Sequence, residues 1–107
     1  MRLDGPPVLL EPNLAQIIAM TLHELATNAA KYGALAVADG QVELKWSHEA
    51  NGQLRLRWTE SGGPKVQEPT VKGFGARIIE QMIAQQSGKT HFDWSPDGLV
   101  CELTLKM

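Results

Sequence analysis

A single cysteine in 107 residues excludes an internal disulfide, so packing and hydrogen bonding must hold this chain together unaided. That cysteine, Cys101, lies in the alternating run LVCELTLKM and reads as a small buried residue rather than a nucleophile. No apolar stretch approaches the roughly 18 residues needed to cross a bilayer, and the N-terminus carries no signal-peptide pattern, so a cytoplasmic domain with no membrane contact is expected. Charge of one sign is also lacking: 10 basic residues stand against 12 acidic ones, a formal net charge of -2. This gives no electrostatic case for nucleic acid or for an acidic membrane, and any anionic ligand must be held locally. Internal repeats and low-complexity tracts are absent too. What remains is ordinary globular material, 43% hydrophobic and 21% charged. Residues 1–107 are expected to form one domain that buries about two thirds of its unfolded surface.

The run PPVLLEP is apolar and bracketed by prolines, which suits an edge strand. From Leu14 to Tyr32 the residues Leu14, Ile18, Leu22, Leu25, Ala29 and Tyr32 recur at helical spacing, with Pro12 and Asn13 ahead and Gly33 as the stop. QVELKWS (41–47) and QLRLRWTE (53–60) alternate at period two around an Asn51-Gly52 turn, the pattern of a hairpin. SGGPKVQEPTVKGFG follows, with four glycines and two prolines in fifteen residues, and reads as an irregular loop. A second helix is expected from near Gly75 to before Gly88, burying Ile78, Ile79, Met82 and Ile83. THFDWS and LVCELTLKM then make another hairpin around Pro96-Asp97-Gly98. This order predicts an α/β (α+β) two-layer sandwich, a mixed and mostly antiparallel sheet with helices on one face.

The stretch TLHELATNAAKYGAL puts polar residues into the first helix. At about 100° per residue, with Glu24 as zero, Asn28 falls near +40° and Lys31 near -20°, apart from a core stripe at roughly +80° to +160°. A carboxylate, an amide oxygen and an ammonium one turn apart can hold a hydrated Mg²⁺ ion and an anion together. Read alone, the same face is better explained as that of a solvated helix, with Lys31 favoured by the helix dipole. Two glycine-rich segments shift the balance. WTESGGP fixes Glu60 beside Gly62 and Gly63, where backbone can approach a flat ligand, and Gly73-Phe74-Gly75 stands at a helix start, whose free N–H groups suit phosphate.

HELATNAAKYGAL, W-x-E-x-G-G-P and GFGARII together resemble the ATP-binding catalytic domain of bacterial sensor histidine kinases, and within it the HWE subgroup, along essentially the whole chain. The resemblance implies the Bergerat-type fold shared with gyrase-like and MutL-like ATPases, heat-shock-protein-90 chaperones and anti-sigma-factor kinases. It implies ATP and Mg²⁺ as ligands, with Asn28 coordinating the metal and Glu24 acting with it, as a catalytic group and through water. Lys31 and Tyr32 correspond to residues facing the phosphates and the nucleotide wall. Glu60 stands where most histidine kinases have an adenine-reading aspartate, and glutamate is the subgroup's residue there. Gly62 and Gly63 follow it, Gly73, Phe74 and Gly75 match the glycine box that closes over phosphate, and residues 64–72 become the ATP lid. No phenylalanine-containing F box is evident, and GALA stands where GALS is commoner.

The implied function is presentation of the γ-phosphate to a histidine on a separate helical dimerisation domain, which these residues do not include, with a response regulator downstream. The alternatives are a non-catalytic nucleotide-binding module and a gyrase-like ATPase using Glu24 as general base. His23 lies near -100° on the wheel, off the Glu24–Asn28 line, where a structural role is at least as well supported as a catalytic one. Trp58 alternates with Leu54 and Leu56 and is expected in the core, with contact to adenine the lesser alternative, and His48 and His91 have no metal-ligand pattern.

Overall fold

The computed structural model describes residues 2–63, 74–95 and 98–106. Residues 64–72, expected to form the lid, Gly73, and Pro96 and Asp97 of the last turn lie outside the described residues, as do the side chains of Tyr32, Phe74, Ala76 and Ser95. Eight elements follow in order: β1 (Arg2–Asp4), α1 (Pro12–Tyr32), a 3₁₀ turn (Ala34–Ala36), β2 (Gln41–His48), β3 (Gln53–Ser61), α2 (Phe74–Gln85), β4 (Lys89–Ser95) and β5 (Gly98–Lys106). Among the described residues, five strands form one sheet in the order β1-β2-β3-β5-β4, the β1–β2 pair parallel and the other pairs antiparallel.

Period-two alternation decides which sheet face is covered. Val42 and Leu44, then Leu54, Leu56 and Trp58, then Leu99, Cys101, Leu103 and Leu105 are buried in one cluster with Leu14, Ile18, Leu25 and Ala29 of α1 and Ile79 and Ile83 of α2. Both helices therefore lie on the same face, as the pattern predicts. Register locks the arrangement: Trp58 stands opposite Leu44 on β2 and Cys101 on β5, and a one-residue slip would turn all three outward. The opposite face carries Lys45, Arg57 and Glu102 side by side. Of the expected α2 stripe, Ile79 and Ile83 are fully buried while Ile78 and Met82 are half-buried.

The edge strand expected in PPVLLEP is displaced. The parallel edge strand is Arg2–Asp4, and residues 5–11 run outside the sheet. Pro6 and Pro7 have no N–H to give a ladder. Instead the Pro6 carbonyl accepts a hydrogen bond from Trp46 Nε1–H at 2.7 Å, and the chain crosses the Trp46 indole at Gly5, where a Cβ would collide with the ring.

Cys101 is completely buried between Trp58 and Phe92 in register. Burial first, then the carboxylates of Glu102, Glu60 and Glu80, push its thiol from 9.0 up to about 12. A raised native value means that the protonated thiol's contribution to stability is complete below about pH 9 and is lost as pH rises toward 12, where only the unfolded chain ionises readily. Cys101→Ala should accordingly flatten the alkaline decline in stability over that window. Equal alkaline decline in parent and variant, together with rapid labelling of the native thiol, would contradict this burial.

Candidate functional site

The site is built where the end of α1 meets the end of β3. Glu60 follows the alternation of β3 inward, so its carboxylate faces the core side and is only 5% exposed. A polar group this deep needs hydrogen-bond partners, and it has two. Oε1 accepts the backbone N–H of Ala34 at 2.9 Å, and Oε2 accepts the indole N–H of Trp58 at 3.0 Å. A carboxylate offers about four lone-pair positions, so acceptor capacity remains for a ligand.

Glycines make this approach possible. Gly33 ends α1 at φ -123°, and its N–H bonds to the Ala29 carbonyl at 3.0 Å. A left-handed conformation is not what calls for glycine here: a Cβ at Gly33 would strike Glu60 Oε1. At Gly98, φ is +146° and a Cβ would strike the Glu60 carbonyl, so the strand entering from the last hairpin presses on the Glu60 backbone. Gly62 and Gly63 approach Asp39 and Ala34 backbone closely, which seats the end of β3 against the turn after α1.

On α1, Glu24 and Asn28 are half-buried and Lys31 is exposed, all outside the stripe of buried residues. Among the described residues none of these three side chains takes part in a hydrogen bond or ion pair, so their polar atoms are open to a ligand. Gly33, at whose position a Cβ would strike Glu60 Oε1, ends the helix that carries this row. Phe74 and Gly75 open α2, giving a helix N-terminus as expected. Gly73 and the Tyr32 side chain lie outside the described residues. No cluster of three or more His, Cys, Asp or Glu suited to a metal occurs among the described residues. A cation at Asn28 and Glu24 would therefore complete its shell with ligand oxygens and water, as Mg²⁺ does readily.

Two contributors escaped the sequence reading. Trp58 was expected in the core and is there, 1% exposed, but its N–H also holds Glu60. Its signal was the W-x-E spacing, since residues i and i+2 of a strand share a face. Thr21, fully buried near the margin of the polar row, returns its hydroxyl to the Ile17 carbonyl at 2.8 Å. His23 is exposed, and His48 and His91 are exposed on β2 and β4. A groove of about 470 Å³ lies elsewhere, between the Gly5–Pro6 crossing and Lys45, Trp46, Arg55 and Arg57 on the sheet's polar face. Arg55 is paired there with Glu49 and Glu102, and Lys45 with Glu43, so that surface is charge-balanced and lacks the buried acceptor of the Glu60 site.

No protein-family model matches the chain. It is 45% identical over 105 residues to blue-light-activated histidine kinase 1 of Erythrobacter litoralis, covering 95% of this chain and 29% of that protein. It is 34% identical over 111 residues to a blue-light-activated histidine kinase of Brucella anthropi, covering 100% of this chain and 23% of the relative. The chain thus spans less than a third of the curated relatives it matches. Among solved structures, the histidine kinase domain of an Erythrobacter litoralis blue-light activated histidine kinase superposes with a TM-score of 0.82 at 21% identity, over 97% of this chain and 52% of that one. The mycobacterial sensor histidine kinase MprB gives 0.71 at 17% identity, over 97% of this chain and 80% of that one. The chain is homologous along its length to a segment of proteins named histidine kinases, and it shares the fold of solved histidine kinase domains.

Proposed function

We propose that this chain binds Mg²⁺·ATP and presents the γ-phosphate to a histidine on a separate helical domain, as the cytoplasmic catalytic part of an HWE-type sensor histidine kinase. The observation that carries this reading is the buried Glu60 carboxylate, held by two donors and keeping acceptor capacity, on a chain whose Asn28 row makes no hydrogen bond or ion pair among the described residues. Glu60 would accept the adenine amino group, Asn28 with Glu24 would hold the cation, and Lys31 and the start of α2 would face the phosphates. The cation, when bound, supplies neutralisation of phosphate charge. The protein's own contribution is positioning: a fixed base at one end and an oriented triphosphate at the other make transfer nearly unimolecular once an acceptor docks. The chain's share of its relatives supports the same division, since over two thirds of their length lies outside the matched segment.

The three histidines are poor acceptors by position. His23 is on the outside of α1, His48 ends β2 and His91 lies within β4. Incubation with γ-labelled ATP should give no acid-labile phosphoprotein until a helical acceptor domain of a related kinase is added in cis or in trans. Stoichiometric labelling of the chain alone, lost on replacing one of these histidines, would overturn the division of roles. Steady phosphate release without an acceptor would favour an ATPase instead.

A further inference from the structure

A glutamate reaching its ligand through three rotatable bonds is a poor reader of one amino group unless something fixes its carboxylate, because ordering it on binding costs side-chain entropy. Here the two oxygens are held by separate elements. Ala34, just past α1, donates to Oε1, and Trp58, two residues earlier on β3, donates to Oε2. Trp58 cannot swing away. Its ring is 1% exposed, flanked by Leu44 on β2 and Cys101 on β5. Gly33 provides the space that lets Oε1 reach the Ala34 N–H. Resting on the nucleotide reading above, we infer that Trp58 is a positioning residue whose indole N–H fixes the Glu60 carboxylate, so that recognition of the base amino group depends on a side chain that does not touch the nucleotide.

Removing the N–H while keeping the ring isolates this role. In Trp58→Phe, Oε2 loses its donor inside the protein and the carboxylate is free to turn. A bond to a charged acceptor is among the stronger ones, so affinity for Mg²⁺·ATP should fall about 3- to 10-fold. Purine riboside triphosphate lacks the exocyclic amino group, and its affinity should change less than about twofold, since only the contact through Glu60 is weakened. The readout is therefore the ratio of the two dissociation constants by calorimetry, which a loss of general stability would not shift. Glu60→Gln should collapse the same ratio, and Trp58→Phe added to it should produce no further collapse, because the two residues act as one unit. Should Trp58→Phe fail to fold, a benzothienyl-alanine at position 58, with sulfur where the indole carries N–H, makes the same test at nearly constant shape. A ratio that falls in Glu60→Gln but holds in the position-58 variant would overturn the role of Trp58 and leave the adenine reading standing. A ratio that holds in both would overturn the adenine reading, and this inference with it.

Discussion

Asn28→Ala is expected to remove Mg²⁺-dependent ATP binding while leaving the fold intact. The side chain is half-buried on the penultimate turn of α1 and, among the described residues, makes no hydrogen bond or ion pair, so truncating it breaks no structural contact. Alanine is also the better helix former, by a few tenths of a kcal/mol. Stability should be unchanged or slightly raised. Affinity should not be: an outer-shell partner of a metal typically accounts for about 10- to 100-fold in binding, and a direct ligand in a site with so few protein oxygens should account for at least that much. Calorimetry in the presence and absence of Mg²⁺ separates the two outcomes. Unchanged Mg²⁺·ATP affinity in Asn28→Ala would remove the metal site from α1.

The second large effect is on base selection. Both Glu60 oxygens act as hydrogen-bond acceptors, so the group suits the amino group of adenine and opposes the carbonyl that guanine carries at the same place. Leaving a buried charged acceptor facing another acceptor costs on the order of 1–3 kcal/mol or more, equivalent to roughly 5- to 150-fold in affinity. ATP should be preferred over GTP by that order. Glu60→Gln should narrow the preference, since an amide can donate to guanine's carbonyl, and should also cost stability because its NH₂ would face either the Ala34 or the Trp58 N–H. Equal ATP and GTP affinities in the parent, unaltered by the substitution, would falsify the assignment.

Where local chemistry dominates, the fold could be read directly. Leu14, Ile18, Leu25 and Ala29 trace α1 because their spacing matches one helix face, and the two hairpins follow from alternation around turn residues. The turn at Asn51 and Gly52 forms as its residues suggest, with Gly52 at φ +83° and Asn51 Oδ1 accepting the Gln53 N–H. The misplaced first strand shows the limit. Val8 and Leu10 are apolar because they pack partly on the core, and nothing in PPVLLEP distinguishes that from pairing in a sheet. Parallel pairing of β1 with β2, some forty residues apart, is a tertiary outcome.

Legibility of the site divides similarly. The polar row on α1 shows in the wheel, but that the end of α1 meets Glu60 at Gly33 and Ala34 is a tertiary outcome, which no local pattern encodes. Gly33 illustrates this. It looked like a helix stop, and it is one, yet what demands glycine there is the carboxylate arriving from a strand. Trp58 was readable as apolar and buried, while its donor role required knowing that Glu60 also points inward.

The most direct test of the central claim is the structure of this chain with Mg²⁺ and a non-hydrolysable ATP analogue. The expected result has the adenine amino group within hydrogen-bonding distance of Glu60, the Trp58 and Ala34 donors still on its carboxylate, and the cation bound through Asn28. A nucleotide seated away from the end of β3, or a cation without contact to α1, would contradict it.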